Sequence, residues 1–269
     1  MTRRPKLGQH FLTSTSARQH IVDALGDVSH CTVVEIGPGH GALTDLLAPR
    51  AQHLVAIDLD RDLAPALAAR YAGAGNVQVL HADILTVKLA DLHRSGEEMV
   101  IIGNLPYYIT SDILLWLFAQ TGDFSRAVLM MQEEVAGRVT AHPGGSEYGL
   151  LSATTQLYAR AEKLFSLPPG AFSPPPKVHS AVVRLHPAPR CAELGVEGAP
   201  FLVFLRTCFQ QKRKTLANNL RAVGHPPAAI TAAMQAALLG PALRAEAVPL
   251  EALAQLFRSL APMDTLKIL

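Results

Sequence analysis

The chain has 269 residues, 49% of them hydrophobic and 17% charged, with a mean hydropathy of +0.20. That excludes a disordered chain and suits one large domain, or a large one with a small one. No run reaches the ~18 uninterrupted apolar residues of a membrane span, and the most apolar stretch, 101–118, is broken by Asn104, Pro106 and Asp112. The formal net charge of +2 divides into +4 over 1–19, −6 over 20–100, −2 over 101–160 and +6 over 161–269. An acidic middle between basic ends suggests a polyanionic partner held by the ends.

From about residue 32 to 131, short β-rich runs alternate with amphipathic ones. Strands are expected at Thr32–Ile36, Leu54–Ile57, Val77–Leu80, Val100–Ile102 and Ala127–Met131, with helical spacing over Ala42–Leu47, Leu63–Tyr71 and Ser111–Ala119. Strands separated by helices indicate a parallel sheet covered on both faces. Two more strands are expected at Ala161–Ser166 and Val178–His186, around the proline-rich turn 167–177. Residues 187–200 carry Pro, Gly and Cys without periodicity and read as a linker; beyond them, Phe201–Leu220 and two Ala/Leu-rich segments read as helices. The expected domains are 1–188 and a small helical one, 189–269.

Cys31, Cys191 and Cys208 offer neither a disulfide framework nor a metal-binding pair, which points to a reducing cytoplasm. The 11 histidines show no metal-ligand spacing, so no metal is expected. The Arg-bearing, acid-poor first 22 residues raise the question of a presequence, but no apolar h-region or small-residue cleavage site appears.

Glu35-Ile36-Gly37-Pro38-Gly39-His40-Gly41 follows a strand and opens a helix. Its glycines let the backbone turn sharply and approach a ligand. The spacing is not that of the dinucleotide fingerprint, and a P-loop's Lys and Ser/Thr are missing. Asp58 closes the second strand about 20 residues on, where a carboxylate can accept bonds from both ribose hydroxyls, and Asp83 follows the third, in reach of an adenine amino group. Asp60 and Asp62 read as turn residues serving a helix N-terminus. The set describes a nucleoside-shaped site without a phosphate requirement, and S-adenosylmethionine fits it better than NAD. The fourth strand ends in Asn104-Leu105-Pro106-Tyr107: an amide, a turn-fixing proline and an aromatic face within four residues.

With Leu7-Gly8-Gln9-His10-Phe11-Leu12, Ile57-Asp58-Leu59-Asp60, Gly103 to Tyr107, Met131 to Val135, Tyr148 to Ser152, Phe172-Ser173-Pro174-Pro175-Pro176-Lys177-Val178 and Lys212-Arg213-Lys214-Thr215-Leu216, the chain resembles the ribosomal RNA adenine N6-dimethyltransferase family, in its bacterial small-subunit branch. The resemblance implies a Rossmann-like S-adenosylmethionine-dependent methyltransferase fold, α/β with a mostly parallel seven-stranded sheet, and a small C-terminal helical domain. It implies two methyl transfers to N6 of each of two adjacent adenines in the 3′-terminal hairpin loop of 16S RNA, within the immature 30S subunit. It also implies that Gln9, His10 and Leu12 close over the cofactor, that Gly37 and Gly39 line its methionine end, and that Asp58 and Asp83 hold ribose and adenine.

Adenine N6 is a poor nucleophile, because its lone pair is delocalised into the ring. The Asn104 amide oxygen and the Leu105 carbonyl are placed to accept its hydrogens and localise that pair. The base must leave its stack to react, with Tyr107 expected on one face and Phe172 on the other. Lys177, Arg206, Lys212, Arg213, Lys214 and Arg221 are the expected phosphate contacts. A single-site 23S adenine methyltransferase and a non-catalytic RNA-binding factor of the same fold stand as alternatives, and a monomer without membrane attachment is expected.

Overall fold

A computed structural model describes residues 10–260. Among the described residues nine strands occur in chain order: β1 Phe11–Leu12, β2 Cys31–Ile36, β3 His53–Asp58, β4 Val77–His81, β5 Glu98–Asn104, β6 Arg126–Gln132, β7 Ala159–Leu167, β8 Phe172–Ser173 and β9 Ser180–Pro187. Seven form one sheet in the order β4-β3-β2-β5-β6-β9-β7, and β1 pairs with β8 in a separate antiparallel ribbon. The pairs from β4 to β6 are all parallel, whereas β9 runs antiparallel to both neighbours. β2 and β5 are largely apolar and buried almost throughout, as central strands covered on both faces must be. The edge strands β4 and β7 are largely accessible. Strand order reverses between β3-β2 and β2-β5, and the crevice at such a switch point is where open α/β sheets bind ligands.

The helices are α1 Thr15–Asp23, α2 Thr44–Leu47, α3 Leu63–Arg70, α4 Thr110–Phe118, α5 Glu133–Thr140, α6 Leu150–Tyr158, α7 Cys191–Leu194, α8 Gly198–Cys208, α9 Leu216–Ala222, α10 Pro227–Ala236 and α11 Leu250–Ser259. The chain divides into two compact units, one of residues up to 136 with 159–187, the other of 137–158 with 188 onward. The sheet unit packs α1 and α2 against one face through Ile21, Val22, Leu25 and Leu47, all at most 2% exposed. The helical unit has its own core, built on Tyr148, Phe201, Leu205, Leu216, Leu220, Leu253 and Leu256.

Three features differ from the sequence reading. The division at 188/189 leaves 137–158 with the sheet, but Tyr148, Ala153 and Leu157 of that stretch are fully buried in the helical unit's core. The expected linker 187–200 holds α7 and the first turn of α8. The expected single helix 201–220 is broken between α8 and α9. Thr215 caps α9, its side chain accepting from Asn218 N at 3.3 Å, and buried Asn219 donates its amide to the otherwise orphaned Cys208 carbonyl at 2.7 Å. A threonine that starts a helix and an amide that closes the preceding one override the continuous apolar periodicity. Lys212, Arg213 and Lys214 therefore lie in the intervening turn.

Candidate cofactor and target-base site

β2 delivers Ile36 to the switch point, and the chain then turns through Gly37 (φ +67°) and Gly39 (φ +55°). Both angles are strained for any residue with a Cβ. At Gly39 a Cβ would also lie 3.0 Å from the Phe11 ring, which packs on His40 with ring centroids 4.4 Å apart. Phe11 therefore covers the glycine turn, a contact with no signal in the sequence beyond its place in the N-terminal motif.

Asp58, at the end of β3, is 8% exposed. Its carboxyl accepts from Gly39 N at 3.0 Å and Asp60 N at 2.9 Å. Burial pushes it above the ordinary carboxylate range, against those bonds. An ionised carboxylate has about four acceptor positions, so two remain for a pair of vicinal hydroxyls. Asp83 uses one oxygen to cap the short turn at Ile84–Thr86, accepting from Leu85 N at 3.0 Å. Asp60 accepts from Asp62 N and Leu63 N at the start of α3, the local role expected of it.

Two cavities open here. The larger, about 240 Å³, is lined by His10, Phe11, Leu12, Glu35, Gly37, Gly39, Asp58 and Asn104 to Tyr107, among others. The smaller, about 60 Å³, is bounded by Gly37, Asp58, Leu59, Asp83, Ile84, Pro106, Tyr108, Ile109 and Ile113. Gly37, Asp58 and Pro106 belong to both walls. A narrow, largely apolar slot with the carboxylates of Asp58 and Asp83 in its wall suits a flat adenine, and the roomier cavity suits the ribose and amino-acid portions. The residues present thus fit S-adenosylmethionine. Tyr108, 57% exposed, and Ile109 and Ile113 complete the slot through the loop and first turns after β5. The sequence reading stopped one residue short of them.

Glu35 is 1% exposed in the wall of the larger cavity. Thr44 donates its hydroxyl to the carboxylate at 2.7 Å. Burial, with Asp45 and Asp58 adding repulsion, pushes Glu35 up to about 7.

Asn104 ends β5 with its side chain at the cavity. Its Nδ2 donates one of its two hydrogens to the His10 carbonyl at 3.0 Å, which sets the amide plane and leaves Oδ1 free to accept from a ligand. His10 itself is held through Nδ1 to the Pro174 carbonyl at 2.7 Å. The backbone N–H of Leu105 donates to the Met130 carbonyl at 2.9 Å, seating the turn on β6. Tyr107 lines the cavity with its hydroxyl 2.6 Å from Ser180 Oγ, and its ring centroid is 5.5 Å from that of His10.

Phe172 does not join this group. It is 4% exposed, paired opposite Leu12 in the β1–β8 ribbon, and packed in the sheet unit's core. A phenylalanine ahead of three prolines is anchored by the core rather than offered to a ligand, because the rigid turn needs a fixed origin. Gln9, and Arg3, Arg4 and Lys6 of the basic N-terminal end, lie outside the described residues. Lys177, Arg206, Lys212, Arg213, Lys214 and Arg221 are all exposed. None forms an ion pair among the described residues. No group of three or more His, Cys, Asp or Glu able to hold a metal occurs among those residues, and no helix there is long and apolar enough to cross a membrane.

A sheet of this order, with a glycine turn after β2, acids after β3 and β4 and an Asn-Leu-Pro-Tyr turn after β5, defines an S-adenosylmethionine-dependent methyltransferase of the Rossmann-like class. The ribosomal RNA adenine dimethylase family model matches residues 1–261. The chain belongs to that family. It is 56% identical over 257 residues to ribosomal RNA small subunit methyltransferase A of Acidobacterium capsulatum, covering 96% of this chain and 91% of the relative. It is 52% identical over 270 residues to the protein of that name from Koribacter versatilis, covering 96% and 94%. Among solved structures, a dimethyladenosine transferase from Plasmodium falciparum superposes with TM-score 0.74 at 25% identity, over 92% of this chain and 96% of that one. The 23S rRNA methyltransferase ErmE superposes with TM-score 0.69 at 28% identity, over 93% and 99%.

Proposed function

We propose that this protein transfers methyl groups from S-adenosylmethionine to N6 of two adjacent adenines in the 3′-terminal hairpin loop of 16S rRNA, acting as a cytoplasmic monomer on the immature 30S subunit. The observation that carries the chemistry is the Asn104 amide, which is oriented by a bond from its nitrogen to the His10 carbonyl and keeps its oxygen as an acceptor in the cavity beside Tyr107. The choice of small-subunit over 23S substrate is supported by 56% identity to a small-subunit relative against 28% to the 23S enzyme.

The cofactor supplies a methyl group on a sulfonium, already a strong donor. The chain's own task is to hold a poor nucleophile in line. Asn104 Oδ1, with the Leu105 carbonyl, accepts the N6 hydrogens, drawing the amine toward tetrahedral geometry and its lone pair toward the donor. No carboxylate base is required, because the amine proton becomes acidic only as the new bond forms. Tyr107 offers a face to the flipped adenine, and base–aromatic stacking contributes on the order of 1–3 kcal/mol. Gly37, Gly39, Asp58 and Asp83, with His10 and Leu12 from the N-terminal segment, are the residues that would hold the cofactor. Gln9 is assigned there by resemblance to the family.

Labelled S-adenosylmethionine, offered with undermethylated 30S particles and in parallel with 23S RNA, tests the reading. Label is expected in two adjacent adenines of 16S RNA. Label in 23S RNA instead, or erythromycin resistance on expression in a sensitive host, would refute the substrate assignment.

The six exposed cations are proposed to grip rRNA phosphates, those of residues 189–269 serving ribosome binding. Replacing Lys212, Arg213 and Lys214 together by glutamine is expected to weaken 30S binding and flatten its dependence on log salt by roughly 0.7–0.9 for each phosphate no longer neutralised. An unchanged slope would show that this turn faces away from RNA.

A further inference from the structure

We propose that Ser180 is a positioning residue for the target adenine, its hydroxyl pinning the far end of the Tyr107 ring so that the aromatic face is set before the base arrives. The inference rests on the functional reading above, in which Tyr107 stacks on that base.

The bond between the two hydroxyls is 2.6 Å, shorter than most side-chain hydrogen bonds in the molecule, and joins residues 73 positions apart. Its two ends differ in freedom. Ser180 is 0% exposed and opens β9, where its Cα stands opposite Gln132 of β6 on one side and Leu167 of β7 on the other. A residue held between two ladders has no backbone latitude, so its Oγ is a fixed point. Tyr107 sits in the loop between β5 and α4 and is only partly buried. Loop side chains at a cavity mouth sample rotamers unless something restrains them. The ring is hinged at its Cβ end by the turn, which Leu105 N seats on Met130. Ser180 supplies the second point, which fixes the long axis of the phenol. Because the conjugated phenolic hydroxyl hydrogen-bonds best near the ring plane, the bond to a fixed Oγ also biases rotation of the face about that axis.

Burial raises the Tyr107 hydroxyl above its ordinary range, so it remains a neutral hydroxyl at neutral pH. The same 172–180 segment also anchors His10 through the Pro174 carbonyl. One proline-rich connection thereby positions both the aromatic wall and His10, whose carbonyl orients the Asn104 amide. This gives the segment a role in base presentation that does not pass through Phe172.

Pre-orienting the ring removes a rotational cost from each productive encounter. It should act on kcat with the rRNA substrate and leave cofactor binding nearly unchanged. The test is a double-mutant cycle of Ser180→Ala, Tyr107→Phe and the pair, assayed on undermethylated 30S particles, with cofactor affinity read by calorimetry and folding by thermal melting. Each single substitution is expected to lower kcat about tenfold, and the pair no further than either alone, with the dissociation constant for S-adenosylmethionine within about twofold of wild type. Tyr107→Phe removes the same bond from the partly exposed side, so it carries the test if Ser180→Ala fails to fold. Unchanged kcat in Tyr107→Phe, or losses that multiply in the pair, would overturn the proposal. If wild type methylates the particles while Tyr107→Phe does so equally well, only the pin is wrong. If wild type methylates no adenine, the functional reading and this inference fall together.

Discussion

Asn104→Ala is expected to lower kcat by about 10²–10³-fold, the cost of removing one oriented acceptor from a reacting centre, with a much smaller effect on cofactor affinity. The reason lies in how the amide is held. One hydrogen of its nitrogen is donated to the His10 carbonyl at 3.0 Å, so the amide is oriented before binding and its oxygen needs no reorganisation during methyl transfer. Asn104→Asp sharpens the test. It keeps an oxygen at the cavity but replaces the donor to His10 with a second acceptor, setting a carboxylate against a carbonyl. It should therefore lose activity despite its near-identical shape. Single-turnover methylation of 30S particles, with calorimetry of cofactor binding, separates the two effects; full activity in Asn104→Ala would remove this residue from the chemistry.

The second large effect concerns Glu35. Its folded-state value of about 7 lies above the ordinary 4.5, so the unfolded chain gives up this proton first as pH rises. Stability is consequently lost through that interval, and the full penalty applies above pH 7. The difference corresponds to at most roughly 3 kcal/mol. Glu35→Gln keeps the shape and removes the buried charge. It is expected to match wild type in acid and to exceed it at alkaline pH, by as much as roughly 6–12 °C in Tm. A Tm difference independent of pH would contradict this account. Thr44 holds the carboxylate from one side while Asp45 and Asp58 repel it, so a cationic ligand in the cavity should restore its ionised form. Cofactor affinity is then expected to climb as pH rises through about 7 in wild type and to stay flat in Glu35→Gln.

Much of the site was legible because its signals are local. The glycines, Asp58, Asp83 and Asn104-Leu105-Pro106-Tyr107 all sit at the carboxyl ends of strands, where a short apolar run gives way to turn residues and then helical spacing. The alternation of strand and helix likewise marks the parallel sheet, because each element buries its own pattern. The misreadings arose where the deciding partner is distant. The run 201–220 keeps an apolar period that suits one helix, yet the Asn219 amide bonding the Cys208 carbonyl and the Thr215 cap end it. Phe172 has the composition of a stacking residue, but the β1–β8 ribbon turns it into the core.

The sequence by itself determined the class of site and its cofactor: glycine φ preferences, strand-end carboxylates and a four-residue aromatic turn are properties of adjacent residues. Tertiary structure alone decided how those groups are poised. The orientation of the Asn104 amide depends on a carbonyl 94 positions away, and the set of the Tyr107 ring on a hydroxyl 73 positions away. The raised Glu35 carboxyl depends on its burial at the end of β2 and on Asp58 of the neighbouring strand, which the residues beside it in the chain do not report. Hydrogen-bond direction and desolvation are pairwise and environmental quantities, and they exist only once the fold has brought their partners together.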